Sequence, residues 1–191
     1  MSETLSSDQA TSKVISALES LQVPYMVVGS LSTNLYGIPR STKDADFVVE
    51  LTSITPSKIA VQLGPPFLLE DQSRFESVTA TICHRIAVQG GIFKIELFEL
   101  SADPHDQERF RRRRRVSMGD GSAWVPTAED VVITKLRWAI RSRRGKDRDD
   151  VENVLTVSGS TLDWNYINHW ADQHGTRQLL DELRKSVEGI E

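Results

Sequence analysis

The most constraining feature of this sequence is a short apolar run, Tyr25–Val28, that leads directly into a glycine and a serine. Thirteen residues separate Ser30 from Asp44, and Asp44 and Asp46 stand with one residue between them at the start of a second apolar run. Side chains two positions apart on a strand leave the same face of the sheet. Two carboxylates held this way repel each other unless a cation lies between them. The pattern therefore predicts a strand, a helix and a second strand around a cation site.

A third carboxylate is expected from a neighbouring strand. Magnesium, or manganese in its place, prefers oxygen ligands and usually combines few carboxylates with phosphate oxygens and water. Glu96 is the only acid within the run Phe93–Phe98, and strand alternation places Lys94 on the same side as Glu96. We therefore predict a metal site for Mg²⁺ or Mn²⁺ formed by Asp44, Asp46 and Glu96.

The residues around the first strand also suit a phosphate group. Gly29 removes a side chain where the backbone must approach a ligand, and the following helix directs free N–H groups toward that ligand. Ser30 adds a hydroxyl donor, and Arg40 is close enough in sequence to return toward a phosphate. Each feature alone also fits a turn, a solvated strand end, an edge-strand charge or a surface arginine. Their occurrence together and in this order favours a ligand site.

The apolar spacing and the turn residues predict an α+β domain. Helices are predicted at about 8–22, 31–36, 56–63, 127–143, 147–157, 161–174 and 176–188, and strands at about 25–28, 45–51, 67–70, 77–88 and 91–100, with a hairpin over 113–125. This order predicts a mixed β-sheet flanked by helices, followed by a helical C-terminal segment. We place the core at residues 1–125 and the helical segment, which closes the cleft, at residues 126–191.

The glycine-serine pair, the stretch Tyr-Gly-Ile-Pro-Arg-Ser-Thr and the Asp-Ala-Asp triplet together resemble the first motif of the DNA polymerase β-like nucleotidyltransferase superfamily. The sequence looks most like the minimal bacterial branch related to AbiEii-type toxins. The strand-borne Lys-x-Asp motif of that branch corresponds to Lys94-Ile95-Glu96, with Glu in place of Asp. A later helical pattern of that branch is matched here by Glu129-Asp130, Lys135, Arg141 and the stretch 146–150.

The resemblance implies an enzyme that moves a nucleoside monophosphate from a nucleoside triphosphate (NTP) to an acceptor. Two metal ions would clamp the attacking and leaving oxygens of the displacement. Asp44, Asp46 and Glu96 would be the catalytic metal ligands, and Glu96 would help to deprotonate the acceptor. The nucleotide-binding residues implied are Gly29, Ser30, Arg40, Thr42, Lys94 and Lys135. Asp147 and Asp150, three residues apart on one helix, are candidates for supporting or acceptor-side groups.

The charge distribution predicts a polyanionic partner. The net charge is −4, yet residues 109–148 contain 13 basic residues and only four acidic ones. Six arginines occupy the seven positions from Arg109 to Arg115, and such a run suits the phosphates of RNA. Arg111, Arg113 and Arg115 are the candidate polyanion-binding residues. A basic wall beside the metal site, on which RNA would lie, is predicted from the arginine run together with Lys135, Arg137, Arg141, Arg143, Arg144 and Lys146. The alternative is a solvated segment whose arginines pair with surface acids.

Three functions stay open at this stage. The first is nucleotidyl transfer, with RNA or tRNA in a toxin-antitoxin context as the favoured acceptor. The second is a catalytically silent protein with the same fold, which binds nucleic acid or a toxin or antitoxin partner. The third is transfer to a small molecule such as an antibiotic. No apolar run of about 18 residues and no export leader is present, so we expect a cytoplasmic protein without a membrane partner.

Overall fold

The computed structural model describes residues 5–119, 121–142 and 145–188. Asp120, in the turn of the predicted 113–125 hairpin, and Arg143 and Arg144, from the predicted basic wall, lie outside these ranges. The helices are α1 (Ser7–Ser20), α2 (Gly29–Tyr36), α3 (Pro56–Leu63), α4 (Pro104–Arg112), α5 (Ala128–Ser142), α6 (Gly145–Ser158), α7 (Trp164–Gln173) and α8 (Arg177–Glu188), with a short 3₁₀ helix at Gly159–Thr161. The strands are β1 (Tyr25–Val28), β2 (Asp44–Val49), β3 (Phe67–Leu69), β4 (Arg74–Glu76), β5 (Thr81–Val88), β6 (Lys94–Glu99), β7 (Arg114–Met118) and β8 (Gly121–Val125).

The main sheet is mixed and has the strand order β1-β2-β6-β5-β3, with β4 also paired to β5. Strands β2 and β6 are parallel, which is possible because residues 50–93 form a long crossover between them. This register aligns Asp46 with Glu96 and Asp44 with Lys94. On the other side of β2, antiparallel pairing aligns Val28 with Asp46, so the chain enters α2 beside the second aspartate.

The apolar residues form separate cores in the sheet and in the helical C-terminal part. The buried centre of the sheet core contains Leu18, Val27, Phe47, Ile95 and Leu97. The centre of the helical core contains Ile133, Leu136, Val151, Ile167 and Leu180. The boundary between residues 125 and 126 stays a prediction. Over the described part of the chain, no helix has both the length and the apolar composition needed to cross a bilayer.

The predicted α+β class is confirmed, with a mixed sheet flanked by helices and a helical C-terminal segment. The predicted strand at 77–88 starts too early, because β5 begins at Thr81 and residues 77–80 form a turn after β4, a strand that the sequence analysis did not predict. The carboxylate of Glu76 accepts hydrogen bonds from the backbone N–H groups of Val78 and Thr79 and from the Thr79 hydroxyl. These bonds hold the chain in a tight turn where the apolar pattern alone suggests a continuous strand.

Candidate active site

Gly29 brings the backbone into direct contact with the second aspartate. Its φ is +62°, a region that residues with side chains rarely adopt. A Cβ atom at this position would lie 2.0 Å from Oδ2 of Asp46. Any residue other than glycine therefore collides with the carboxylate, and the sequence pattern of a glycine followed by Asp-Ala-Asp has a steric cause.

Asp46 is electrostatically the most unusual group of this site. Its Oδ1 is buried and has no hydrogen-bond partner among the described residues. Burial, followed by repulsion from Asp44 and Glu96, raises the pKa of Asp46 from 3.8 to about 7. A carboxylate in these surroundings gains stability from a cation that supplies the missing partner.

Asp44 is held by a neighbour from the preceding loop. The hydroxyl of Thr42 donates a 2.7 Å hydrogen bond to Oδ1 of Asp44. The sequence interpretation assigns Thr42 to the nucleotide, and the structure places it on the carboxylate. Thr42 thus orients Asp44 beside Asp46.

Glu96 lies opposite Asp46 in the sheet but is engaged by a residue that the sequence analysis did not identify. Arg85 on β5 is directly opposite Glu96, and its Nε lies 3.0 Å from Oε1 of that carboxylate. Its Nη2 also donates to the same oxygen. The sequence Gln-Gly-Gly at 89–91, which favours a hairpin turn, contained the signal, because symmetric pairing about Gly90 and Gly91 places position 85 opposite position 96.

The acidic residues fit a divalent cation only in part. Among the residues described, no three acidic, histidine or cysteine side chains are arranged to hold a metal ion. Asp44 and Asp46 fit one, since they are adjacent, repel each other and leave a buried oxygen without a partner. Two carboxylates also match the oxygen set that Mg²⁺ completes with phosphate and water. Glu96, by contrast, is paired with Arg85.

Arg40 and Lys135 join the sheet to the helical segment through Asp150. Arg40 donates from Nε to Oδ1 of Asp150 over 2.9 Å and from Nη2 to the Ser30 hydroxyl over 2.9 Å. Lys135 lies 2.6 Å from Oδ2 of Asp150 and 3.1 Å from Oδ1 of Asp147. Burial favours a raised pKa for Asp150, but the hydrogen bond from Arg40 and the charge of Lys135 hold the pKa below its usual value. Asp147 and Asp150 are thus the buried counter-charges of two cations.

These groups surround one cleft between the sheet and helices α4, α5 and α6, with about 980 Å³ of space that includes open solvent. Predicted residues that line the cleft are Gly29, Ser30, Asp44, Asp46, Glu96, Lys135 and Asp147. Arg109 of the predicted arginine run also lines the cleft, and lining residues that the sequence analysis did not identify include Thr79, Asp106 and Trp138. Lys94 contacts the site through Glu96, with its Nζ 4.0 Å from Oε1.

The arginine run ends α4 and continues into β7, and four of its six members contact acids of the same chain. These pairs are Arg109 with Asp106, Arg111 with Glu108, Arg112 with Asp130, and Arg115 with Glu19. Arg113 stacks on the ring of Phe110 at 4.0 Å. The run therefore has much of its charge compensated within the chain.

Solved structures with a similar arrangement of strands and helices identify the fold around this cleft. ANT(2″)-Ia, solved in complex with adenylyl-2″-tobramycin, superposes with a TM-score of 0.62 at 10% identity and covers 88% of this chain and 97% of its own. The chain has a nucleotidyltransferase fold. A nucleotidyltransferase-like protein from Paracoccidioides brasiliensis gives a TM-score of 0.55 at 20% identity, covering 95% of this chain and 94% of its own. A proposed nucleotidyltransferase from Thermotoga maritima gives 0.51 at 17% identity, covering 73% and 89%.

Sequence comparisons add nothing to this assignment. No family profile matches the chain, and a search of curated proteins returns no significant match. The nucleotidyltransferase fold is therefore established by structure, at identities of 20% or less. The AbiEii-type branch stays a prediction.

Proposed function

We propose that this protein transfers a nucleoside monophosphate from an NTP to an acceptor hydroxyl with the help of a divalent cation. The observation that carries the proposal is the Asp46 carboxylate, which is packed against the bare backbone of Gly29 and has an oxygen without a partner. This carboxylate lines the cleft between the sheet and helices α4, α5 and α6, and the chain has a nucleotidyltransferase fold, which supports the proposal. A buried acid with a raised pKa in a cleft is typical of a functional site.

The triphosphate is assigned to the end of the cleft where α2 begins. The N-terminal turn of α2 has backbone N–H groups that a helix does not satisfy internally, and Ser30 adds its hydroxyl. Lys135 and Lys146 line the same cleft and supply positive charge. Arg40 contributes by holding the Ser30 hydroxyl and Asp150 in place.

Asp44 and Asp46 are the residues that would hold Mg²⁺ or Mn²⁺, with Glu96 as the third carboxylate. When bound, the cation would stabilise the charge on the attacking and leaving oxygens of an in-line displacement. Glu96 is the group of the chain that would accept the proton of the acceptor hydroxyl, because it lines the cleft next to Asp46. Thr42 keeps Asp44 in orientation throughout.

A small hydroxyl-bearing molecule is the acceptor that the arrangement of charges favours. The cleft is walled by α4 and α5 opposite the sheet, and Thr79, Asp106 and Trp138 line it beyond Glu96. ANT(2″)-Ia, with its adenylyl-tobramycin complex, supports a small polar acceptor by analogy of fold. RNA, including a toxin-antitoxin setting, is the second candidate and rests on the arginine run, of which Arg114 is exposed.

The experiment incubates the purified protein with each of the four α-labelled NTPs and Mg²⁺, together with total RNA or with tobramycin as a small-molecule probe. The control is the double variant Asp44→Ala/Asp46→Ala. Label that moves only with wild type supports transfer and identifies the nucleotide and the acceptor class. NTP binding without transfer, unchanged in the double variant, would instead support the catalytically silent binding protein.

A further inference from the structure

The third carboxylate of the site needs a counter-charge to stay where it is. Glu96 is aligned with Asp46 on the adjacent parallel strand, and Asp44 lies two residues away on the same face. Three carboxylates at neighbouring positions of two strands repel one another when no cation is bound. A glutamate has three rotatable side-chain bonds, so repulsion alone would turn Glu96 away from the aspartates.

Arg85 provides that counter-charge from behind the site. It stands opposite Glu96 on β5, and its side chain is only 13% exposed. Both Nε and Nη2 donate to Oε1 of Glu96, so the ion pair occupies a single oxygen of the carboxylate. Glu70, 4.0 Å from Nη1, holds the far side of the guanidinium. Arg85 itself is absent from the described lining of the cleft.

We propose that Arg85 is a positioning residue that anchors Glu96 by one oxygen and so keeps its carboxylate directed at the cation site of Asp44 and Asp46. This inference rests on the proposed nucleotidyl transfer for its kinetic consequence. It also has a consequence for cation binding that is independent of turnover. Outer contacts of metal ligands typically change affinity or activity by about 10–100-fold when they are removed.

The test compares Arg85→Gln and Arg85→Lys with wild type. The matched control is Arg148→Gln, because Arg148 also pairs with a glutamate, Glu182, on the helical segment away from the sheet. Mn²⁺ affinity is measured by titration calorimetry on the protein without nucleotide. The kcat and the KM for the NTP are measured separately, and thermal unfolding verifies that each variant is folded.

We expect Arg85→Gln to weaken Mn²⁺ binding and to lower kcat, each by about 10-fold or more, with the KM for the NTP changed by less than about threefold. Arg85→Lys keeps the charge but not the two-donor contact, so it should lie between wild type and Arg85→Gln. It also serves as the test if the glutamine variant does not fold. Arg148→Gln should behave as wild type.

Three results would overturn the proposal. Tighter Mn²⁺ binding or faster turnover in Arg85→Gln would mean that Arg85 withholds Glu96 from the site. Unchanged affinity and kcat in a folded variant would leave Arg85 with a role in stability only. A wild type that binds no Mn²⁺ would remove the cation site itself. A wild type that binds Mn²⁺ without turnover would contradict the proposed function alone, and the affinities would still decide the role of Arg85.

Discussion

At the scale of single residues, Gly29 and Asp46 constrain each other. The positive φ of Gly29 and the 2.0 Å approach to Asp46 leave no room for a side chain. The same proximity removes water from Asp46 and contributes to its raised pKa. A change at either residue should therefore affect the other, and one prediction is made for each.

The first prediction concerns Gly29→Ala, with Gly64→Ala as its control. Both glycines have nearly the same φ, +62° and +61°, but nothing lies within 4 Å of a Cβ at Gly64. Both variants should lose about 1–3 kcal/mol from backbone strain. Gly29→Ala should lose more and should also lose nucleotidyl transfer, because its methyl group displaces the Asp46 carboxylate. Equal unfolding free energies in urea, with activity intact, would contradict the steric argument.

The second prediction is that Asp46→Asn is more stable than wild type above neutral pH when no divalent cation is present. The folded state raises the pKa of Asp46 from 3.8 to about 7, so ionising it costs folding free energy as the pH rises through that interval. At about 1.4 kcal/mol per pKa unit, the advantage of Asn at pH ~8 is on the order of 2–4 kcal/mol. It should vanish toward pH ~3, where the acid is protonated in the folded protein and largely so in the unfolded chain.

Thermal unfolding in a chelator, followed across this pH range, checks the second prediction. Added Mg²⁺ should then stabilise wild type and leave Asp46→Asn unchanged, since only wild type has the carboxylate. Activity should fall by orders of magnitude in the variant. An Asn variant that is less stable at high pH would mean that Asp46 is not strained by its charge.

At the scale of elements, a buried charge network ties α2 and the following loop to α5 and α6. Asp150 is 1% exposed in its side chain and accepts from Arg40 while it pairs with Lys135. The hydroxyl of Tyr36, at the end of α2, adds a 2.8 Å bond to the carbonyl of Pro126. These contacts set the orientation of α5, and with it the distance between Lys135 and the aspartates.

The third prediction is that Asp150→Ala destabilises the protein by about 3 kcal/mol, because it removes the carboxylate partner of Arg40 and leaves Lys135 paired with Asp147 alone. This is the lower end of the range of about 3–5 kcal/mol for broken buried pairs, since the side chain of Arg40 is 35% exposed. Asp149→Ala, one residue earlier and exposed, is the control and should change stability by less than about 0.5 kcal/mol. Urea unfolding of both variants provides the measurement. Similar values for the two would show that the network contributes little.

At the scale of the whole molecule, ion pairs within the chain compensate much of the positive charge of the arginine run. The segment from residue 109 to 148 has a large excess of basic residues in sequence. In three dimensions, acids outside this segment pair with it, Glu19 of α1 with Arg115 and Asp106 of α4 with Arg109, while Asp130 within the segment pairs with Arg112. Asp130 is further tied to Tyr166 of α7 by a 2.8 Å hydrogen bond. The basic run therefore also connects parts of the fold.

The fourth prediction is that the protein binds single-stranded RNA weakly and with a small dependence on salt concentration. Each phosphate contact to a single strand contributes about 0.7 to the slope of log affinity against log salt. With four of six arginines already paired, we expect weak binding and a slope no greater than about 2, from Arg113 and Arg114 and partial release of others. Fluorescence anisotropy of a labelled single-stranded RNA, repeated over a series of salt concentrations, measures the affinity and this slope. A steep slope in wild type that decreases in the triple variant Arg111→Gln/Arg113→Gln/Arg115→Gln would contradict this prediction and favour RNA as the acceptor.

Most helices and strands, and the residues that share a strand face, could be predicted from the sequence because they depend on interactions between residues close together in the chain. Strand alternation places Asp44 and Asp46 on one face, and the pattern of apolar and turn residues predicts most helices and strands. Thr127, a residue type that favours the start of a helix, begins the predicted helix 127–143, and its hydroxyl donates to Asp130 at the start of α5. The exception is residues 77–80, where hydrogen bonds to the Glu76 carboxylate form a turn in place of the start of the predicted strand 77–88.

The tertiary structure decided the pairings between distant residues. Glu96 meets Asp46 only through the parallel register of β2 and β6, and Arg85 meets Glu96 only through the register of β5 and β6. Arg40 and Asp150 are 110 residues apart in sequence. Sequence alone determined which residue types were available and which neighbours share a face. Which charges neutralise one another depends on long-range packing, because an ion pair requires two side chains within about 4 Å and sequence separation does not set that distance.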